Sequence, residues 1–355
     1  MKELVRRLRK WKKGKEAAPL ICQVHLTNKC NLSCGFCPTV ASKEEGELDV
    51  SNELGIEKWM EIVREGKEMG VDEWHICGGG EPFFDKDKAK KIMEKMKESG
   101  ARGEVITNGT LVDEEIAEML VNIGWDLVTF SIDGPDAETN DKIRSEGSFR
   151  QAVKNAKYLS RIRDNSEPYL VVHTVICNEN YKKPEEMVKL VDEIGFDEIR
   201  FNSMNVWNET GEKLKLDESK RKEAKENLIE ARKMTEKRNV ESNIDEFVKH
   251  NLLEHSNEID EAMKEGLDGK GEKFSNLPCY YPWYNFSIFA DGRAAPCFLF
   301  QKGDNIKNKS LEEVWKGGFF NRTRERFLEN KLKDVCKNCN AWNVEKMREI
   351  RKELN

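Results

Sequence analysis

Residues 20–37 read LICQVHLTNKCNLSCGFC. An apolar run, LICQVHL (20–26), leads straight into three cysteines, Cys30, Cys34 and Cys37, spaced C-x3-C-x2-C. A short apolar, β-branched run of this kind predicts a strand, which puts the cysteines on the loop leaving its C-terminal end. No fourth cysteine follows nearby. A structural zinc or a closed iron–sulfur site normally takes four protein ligands. Three thiolates on one loop can instead hold three irons of a [4Fe–4S] cube and leave the fourth iron open to a small molecule. A zinc knuckle completed by His25 or by a partner's ligand is the alternative.

Five more apolar, β-branched runs follow: EWHIC (73–77), GEVIT (103–107), DLVTFSI (126–132), YLVVHTVI (169–176) and EIRFN (198–202). Helix-period stretches at 53–69, 86–99, 113–123, 148–163 and 184–194 alternate with them. Six strands with crossover helices predict a parallel sheet, and right-handed crossovers curl it into a partial (β/α)6 TIM-like barrel. The chemistry of such sheets sits on loops at the C-terminal strand ends. The unusual motifs fall there: GGGEP (78–82), TNGT (107–110) and SIDGP (131–135), with KIRSEGSF (142–149) just beyond.

The chain has 355 residues and a net charge of −6, which argues against a general nucleic-acid binder. It carries no secretory pattern at its start and no stretch of about 18 apolar residues, so no transmembrane helix is expected. Ten cysteines in such a chain predict reduced thiols holding metal rather than a disulfide framework, and a cytoplasmic location. Cys22, Cys77 and Cys177 lie in or at strands and are expected to be small buried hydrophobes.

Four regions are expected. Residues 1–19 form a basic helix with Leu4, Leu8 and Trp11 on one face. That face either packs on the barrel or makes a weak membrane-surface contact. Residues 20–207 are the barrel. Residues 208–275, about half of them charged, are one or two long helices that complete the barrel and link onward. Residues 276–355 form a small α+β domain, with a hairpin turn at Asp291-Gly292 and a capping box from Ser310 to Glu313. This last region holds Cys279, Cys297, Cys336 and Cys339. Four thiolates can close one metal centre, an iron–sulfur cluster or a zinc ion.

Cys30, Cys34, Phe36 and Cys37 (C-x3-C-x-aromatic-C after the first strand) resemble the signature of radical S-adenosylmethionine (SAM) enzymes, and the resemblance covers about residues 20–202. It implies a [4Fe–4S] cluster whose open iron chelates the methionine end of SAM. Reductive cleavage then yields a 5′-deoxyadenosyl radical that abstracts a hydrogen atom from substrate. Phe36 would lie against the adenine. Gly78, Gly79, Gly80 and Glu81 match the glycine-rich motif that takes the SAM amino group, with Asn108 at the next strand end. Ser131 and Asp133 are expected at the ribose or carboxylate, and Arg144 beside a carboxylate. The fifth strand offers His173, with Val175 or Ile176 packed on the adenine. In each case a structural role is the competing reading: a turn cap, a surface ion pair or a satisfied barrel histidine.

The C-terminal region resembles the SPASM domain, or its shorter twitch form. That implies one auxiliary [4Fe–4S] cluster fully ligated by Cys279, Cys297, Cys336 and Cys339, two clusters in all, and an electron-accepting role for the second. An electron donor such as flavodoxin or ferredoxin is implied as partner. The four-cysteine plan favours a small sugar- or cyclitol-like substrate. The alternatives are a peptide or protein maturase and an enzyme acting on a lipid or lipid-linked substrate.

Overall fold

The computed structural model describes all residues except 47, 165, 250–272, 333–334, 337–338 and 340, and the side chains of 249 and 341–345. The first six strands are β1 (Ile21–Val24), β2 (Glu73–Ile76), β3 (Arg102–Thr107), β4 (Leu127–Ser131), β5 (Tyr169–Ile176) and β6 (Glu198–Ser203). Each pairs in parallel with the next. All six fall on the apolar runs read from the sequence. The helices between them include α3 (Ile56–Met69), α4 (Lys86–Glu98), α5 (Glu114–Asn122), α7 (Ser148–Ile162) and α8 (Pro184–Ile194), each within three residues of its expected limits. Two short helices were not anticipated: α2 (Pro38–Glu44), directly after Cys37, and α6 (Ala137–Ile143), capped by Asp136.

Strand alternation sorts the sheet's two faces. Val24, Trp74, Ile76, Val105, Val128, Phe130, Leu170, Val172, Ile199 and Phe201 are buried in the main core, packed with helix residues such as Trp59, Ile92, Leu120 and Val188. The opposite, inner face is mixed: Gln23, His75, Glu104, Thr129, Ser131, His173, Arg200 and Asn202 share it with Ile106, Leu127, Val171 and Val175. The barrel therefore has a greasy outside under its helices and polar groups concentrated inside.

The charged segment after β6 supplies α9 (Glu209–Leu214), α10 (Glu218–Arg238), β7 (Glu241–Ser242) and α11 (Ile244–Lys249). Ala224, Leu228, Ala231 and Thr235 form the buried stripe of α10, which packs on α8. The expected continuation through KHNLLEH (249–255) lies outside the described residues, apart from the end of α11.

The hairpin of the C-terminal region extends the barrel sheet. Strands β8 (Asn285–Ile288), β9 (Arg293–Ala295) and β10 (Asp304–Asn305) join the barrel sheet, whose order is β10–β9–β8–β1–β2–β3–β4–β5–β6–β7. β8 lies parallel to β1, with Ile21 opposite Asn285 and Val24 opposite Ile288. Without it β1 would be an open edge with unpaired backbone groups. The turn is where it was expected, with Gly292 at φ +85°. The Ser310–Glu313 capping box is also formed.

Around this hairpin lie α12 (Tyr281–Tyr284), α13 (Leu311–Trp315), α14 (Gly318–Leu328) and α15 (Ala341–Leu354). The N-terminal α1 (Lys2–Lys12) packs on α12 and α15, burying Leu4, Val5 and Leu8 in a second core with Tyr280, Trp283 and Ile350. Arg7 anchors it, donating to the carbonyls of Ala18, Pro19 and Gly70 and pairing with Asp72 at 2.9 Å. The apolar face that a membrane contact would need is thus spent inside the protein. No helix among the described residues is long and apolar enough to cross a membrane.

Candidate active site: an open three-thiol loop and a closed four-thiol cavity

Cys30, Cys34 and Cys37 line a cleft of about 380 Å³ at the C-terminal end of the parallel strands, with Gly78, Gly79, Gly80, Glu81, Asn108, Ser131 and Arg144. Ten of the residues expected at the first centre thus share one cleft. Phe36, Asp133, His173 and Ile176 are not among its lining residues.

The glycines explain how the cysteine loop is held. Gly78 and Gly79 have φ of +81° and +66°, where a side chain would be strained. Gly80 is fixed by crowding: a Cβ there would lie 2.0 Å from the Lys29 carbonyl oxygen. The Gly80 amide donates to Thr27 O at 2.7 Å, and the Glu81 amide to Lys29 O at 2.9 Å. The glycine motif is therefore a backbone cradle for the segment that leads into Cys30. One of its carbonyls is already committed, since Gly79 O accepts from Thr39 Oγ1 at 2.7 Å.

Glu81 does a different job from the one expected. It is 2% exposed and accepts from Thr107 Oγ1 (2.6 Å), the Asn108 amide (2.8 Å) and the Phe83 amide (3.3 Å). Burial pushes its pKa up, and these donors pull it back. It ties the β2 loop to the end of β3. Asn108 then reaches the cysteine loop: its Nδ2 donates to Asn31 Oδ1 at 3.0 Å and lies 4.0 Å from Cys30 Sγ. Asn31, Thr39 and Thr107 were missed in the sequence. They act only through contacts between loops, and no spacing rule announces such contacts.

Asp133 is fully buried, so it is not presented to a ribose. Its Oδ1 accepts from the Val175 amide at 2.8 Å, and its Oδ2 lies 2.7 Å from Arg144 Nε as an ion pair off the hydrogen-bonding axis. The carboxylate that Arg144 pairs with is therefore the protein's own. Burial raises the Asp133 pKa, and Arg144 opposes the rise. Arg144 is held so that Nη1 stands 3.9 Å from Cys34 Sγ and the guanidinium 5.9 Å from the Phe36 ring. Burial pushes the Cys34 thiol up to about 12 against the pull of Arg144, so a free thiolate is disfavoured here unless a cation shares the site.

Ile176 is a correction. It belongs to the helix-facing core, whereas Val175, one residue earlier, points inward and packs with Phe36 around Ile143, Cys177, Met204 and Leu214. Strand parity gives this result: Val175 shares its face with His173, which lies opposite Ser131. His173 contacts Asn202 and is neutral near pH 7, because burial, then Arg200, lowers its pKa to about 4. His25 is lowered similarly by burial and packs edge-on against Phe289 at 4.8 Å. Cys22 and Cys177 are buried as expected, while Cys77 is half-buried.

The second cysteine set converges as well. Cys279, Cys297, Cys336 and Cys339 line one apolar pocket of about 60 Å³ with Tyr281, Phe300 and Met347 among its walls. Burial, against a backbone hydrogen bond at Leu299 and with the neighbouring Cys339 and Cys336 adding to it, pushes Cys297 up to about 12. Four thiols crowded in an apolar hole suit a cationic group that neutralises their thiolates. Both cysteine sets, built of thiols alone, are chemically suited to an iron–sulfur cluster.

Comparison with known proteins agrees with this geometry. Residues 24–191 match the Radical SAM superfamily, and residues 279–340 match the SPASM iron–sulfur cluster-binding domain. The PqqA peptide cyclase of Granulibacter bethesdensis is 28% identical over 50% of this chain and 45% of its own. The Fe-coproporphyrin III synthase of Methanosarcina barkeri is 32% identical over 40% of this chain and 34% of its own. The matched regions thus span less than half of either relative. Among solved structures, Streptococcus suis SuiB bound to precursor peptide SuiA superposes with a TM-score of 0.65 and 20% identity, covering 94% of this chain and 73% of SuiB. That likeness speaks for the fold. The chain belongs to the radical SAM superfamily and carries a SPASM iron–sulfur domain.

Proposed function

We propose that this chain is a peptide or protein maturase that oxidises a residue or forms a crosslink in its substrate. The observation that carries the reading is the pairing of two unlike thiol sites on one sheet. Three cysteines line a mixed polar cleft at the strand ends, and four line a separate apolar pocket. The sugar- or cyclitol-like substrate expected from the cysteine count gives way to the peptide alternative, which the cyclase named above supports.

Cys30, Cys34 and Cys37 would hold a [4Fe–4S] cluster, and Cys279, Cys297, Cys336 and Cys339 a second. With SAM bound, the first supplies a 5′-deoxyadenosyl radical on reduction, and the second accepts an electron. The chain's own groups then have definite tasks. Arg144, fixed by Asp133, sets a positive charge at the cleft wall beside Cys34, where it would offset the charge of a bound thiolate. Phe36 and Val175 form an apolar wall suited to an adenine face. Ser131 offers a hydroxyl in the cleft. A flavodoxin or ferredoxin is the fitting electron donor.

Iron content tests the two-centre arrangement. Anaerobically reconstituted protein should hold about eight irons per chain, two cubes' worth. About four, unchanged when Cys336 and Cys339 are replaced by alanine, would reject it. For the substrate, a short peptide encoded beside this gene and altered in mass on co-expression is the expected result. An unaltered peptide together with conversion of a sugar would reverse the choice.

A further inference from the structure

We propose that the floor of the barrel lumen, formed by Glu73, His75, Glu104 and Lys346, takes up a proton when the four-cysteine centre gains an electron. The inference rests on the proposal that Cys279, Cys297, Cys336 and Cys339 hold a cluster. It concerns residues that no part of the function above has used.

The geometry runs in one connected path. Tyr281 lines the four-cysteine cavity. Its ring centroid is 5.2 Å from that of Tyr284, which is fully buried. Lys346, from α15, places its Nζ 5.5 Å from the Tyr284 ring. Glu73 and Glu104 act electrostatically on that ammonium. His75 lies between the same two carboxylates, with Nε2 3.0 Å from Glu73 Oε2 and 3.7 Å from Glu104 Oε2. Glu104 is two residues before Ile106 on β3, and Ile106 lines the upper cleft. At about 3.3 Å per residue, the floor is roughly 6.6 Å below that cleft wall. Arg102 and Arg200 from neighbouring strands and Glu349 on α15 are the other charges acting on this group.

Two features make the set a proton store rather than a fixed ion pair. Lys346 is held where burial lowers its pKa, while the two carboxylates hold it up. An added negative charge nearby therefore tips the balance toward protonation. His75 places its Nε2 between the same two carboxylates. The chemistry has a use for this. Substrate loses a hydrogen atom when its C–H bond breaks, forming 5′-deoxyadenosine. The remaining radical must lose one electron and one proton to complete a two-electron oxidation. The electron goes to the four-cysteine centre and the proton to the floor, so neither charge accumulates alone.

The test needs no substrate. Reconstituted full-length protein with SAM bound is titrated redox-wise, following by electron paramagnetic resonance the signal that SAM does not perturb. Its midpoint should fall by about 59 mV per pH unit over part of the range from about pH 6 to about pH 9, the one-electron value for a tenfold change in proton activity. Lys346→Met and His75→Phe should each flatten the slope while leaving the signal present. A pH-independent midpoint in the wild type, or a full slope surviving in both variants, would overturn the coupling. Absence of a second signal altogether would overturn the cluster assignment beneath it.

Discussion

Replacing Cys34 with alanine should reduce release of 5′-deoxyadenosine from SAM, in dithionite-reduced protein, to the level of a protein-free control. The expectation follows from the geometry of a site that has no spare ligand. Cys34 lies between Cys30 and Cys37 on one loop and faces Arg144 Nη1 at 3.9 Å. The other cysteines cannot substitute. Cys22 and Cys177 are buried, Cys77 is half-buried at the end of β2 and does not line the cleft, and the other four line their own cavity. A cube held by two thiolates has two open irons instead of one, and is expected to be lost or degraded. Chromatographic assay of deoxyadenosine after anaerobic incubation decides the matter. Release at the wild-type rate would separate SAM cleavage from this loop.

A second large effect is expected from Gly80→Ala. The added methyl would sit 2.0 Å from the Lys29 carbonyl oxygen and 2.5 Å from its carbon, which are backbone atoms that cannot rotate away. Relief requires moving the 27–29 segment, and with it the amide pairings that seat Cys30. Forced fits of this kind cost about 1–3 kcal/mol, and a backbone neighbour puts this one near about 3 kcal/mol. Urea denaturation should show the loss, and reconstitution should yield less iron at the first centre. Gly55→Ala is the matched control. Its nearest neighbour, at 3.3 Å, is the carboxylate end of the flexible Glu57 side chain, so the loss there should be limited to the roughly 1 kcal/mol or less of a poorer α3 N-cap. Equal behaviour of the two variants would remove the cradle from the account.

The parts of the molecule that were readable from the sequence are those set by local pattern. The runs at 20–26 and 169–176 announced β1 and β5 because alternation and β-branching are properties of a short window. The cleft was readable because chain order places every motif at the same end of a parallel sheet. What escaped were pairings between distant segments. Nothing local says that Asn285–Ile288 will lie parallel to β1, since the partners are more than 250 residues apart. The family resemblance placed Asp133 and Glu81 at a bound ligand. Their burial, and their use as ties to Arg144, Thr107 and Asn108, are tertiary facts. Ile176 was a different kind of miss. Parity along β5 would have selected Val175 once His173 was placed inward.

The central claim is that one centre is open to SAM and the other is closed. Electron paramagnetic resonance of the reduced, reconstituted protein, recorded with and without SAM, tests it most directly. The account predicts two cluster signals, of which SAM changes one. A protein with Cys336 and Cys339 both replaced by alanine should keep only the SAM-responsive signal. A SAM response from both signals, or loss of the SAM-responsive one in that variant, would contradict it.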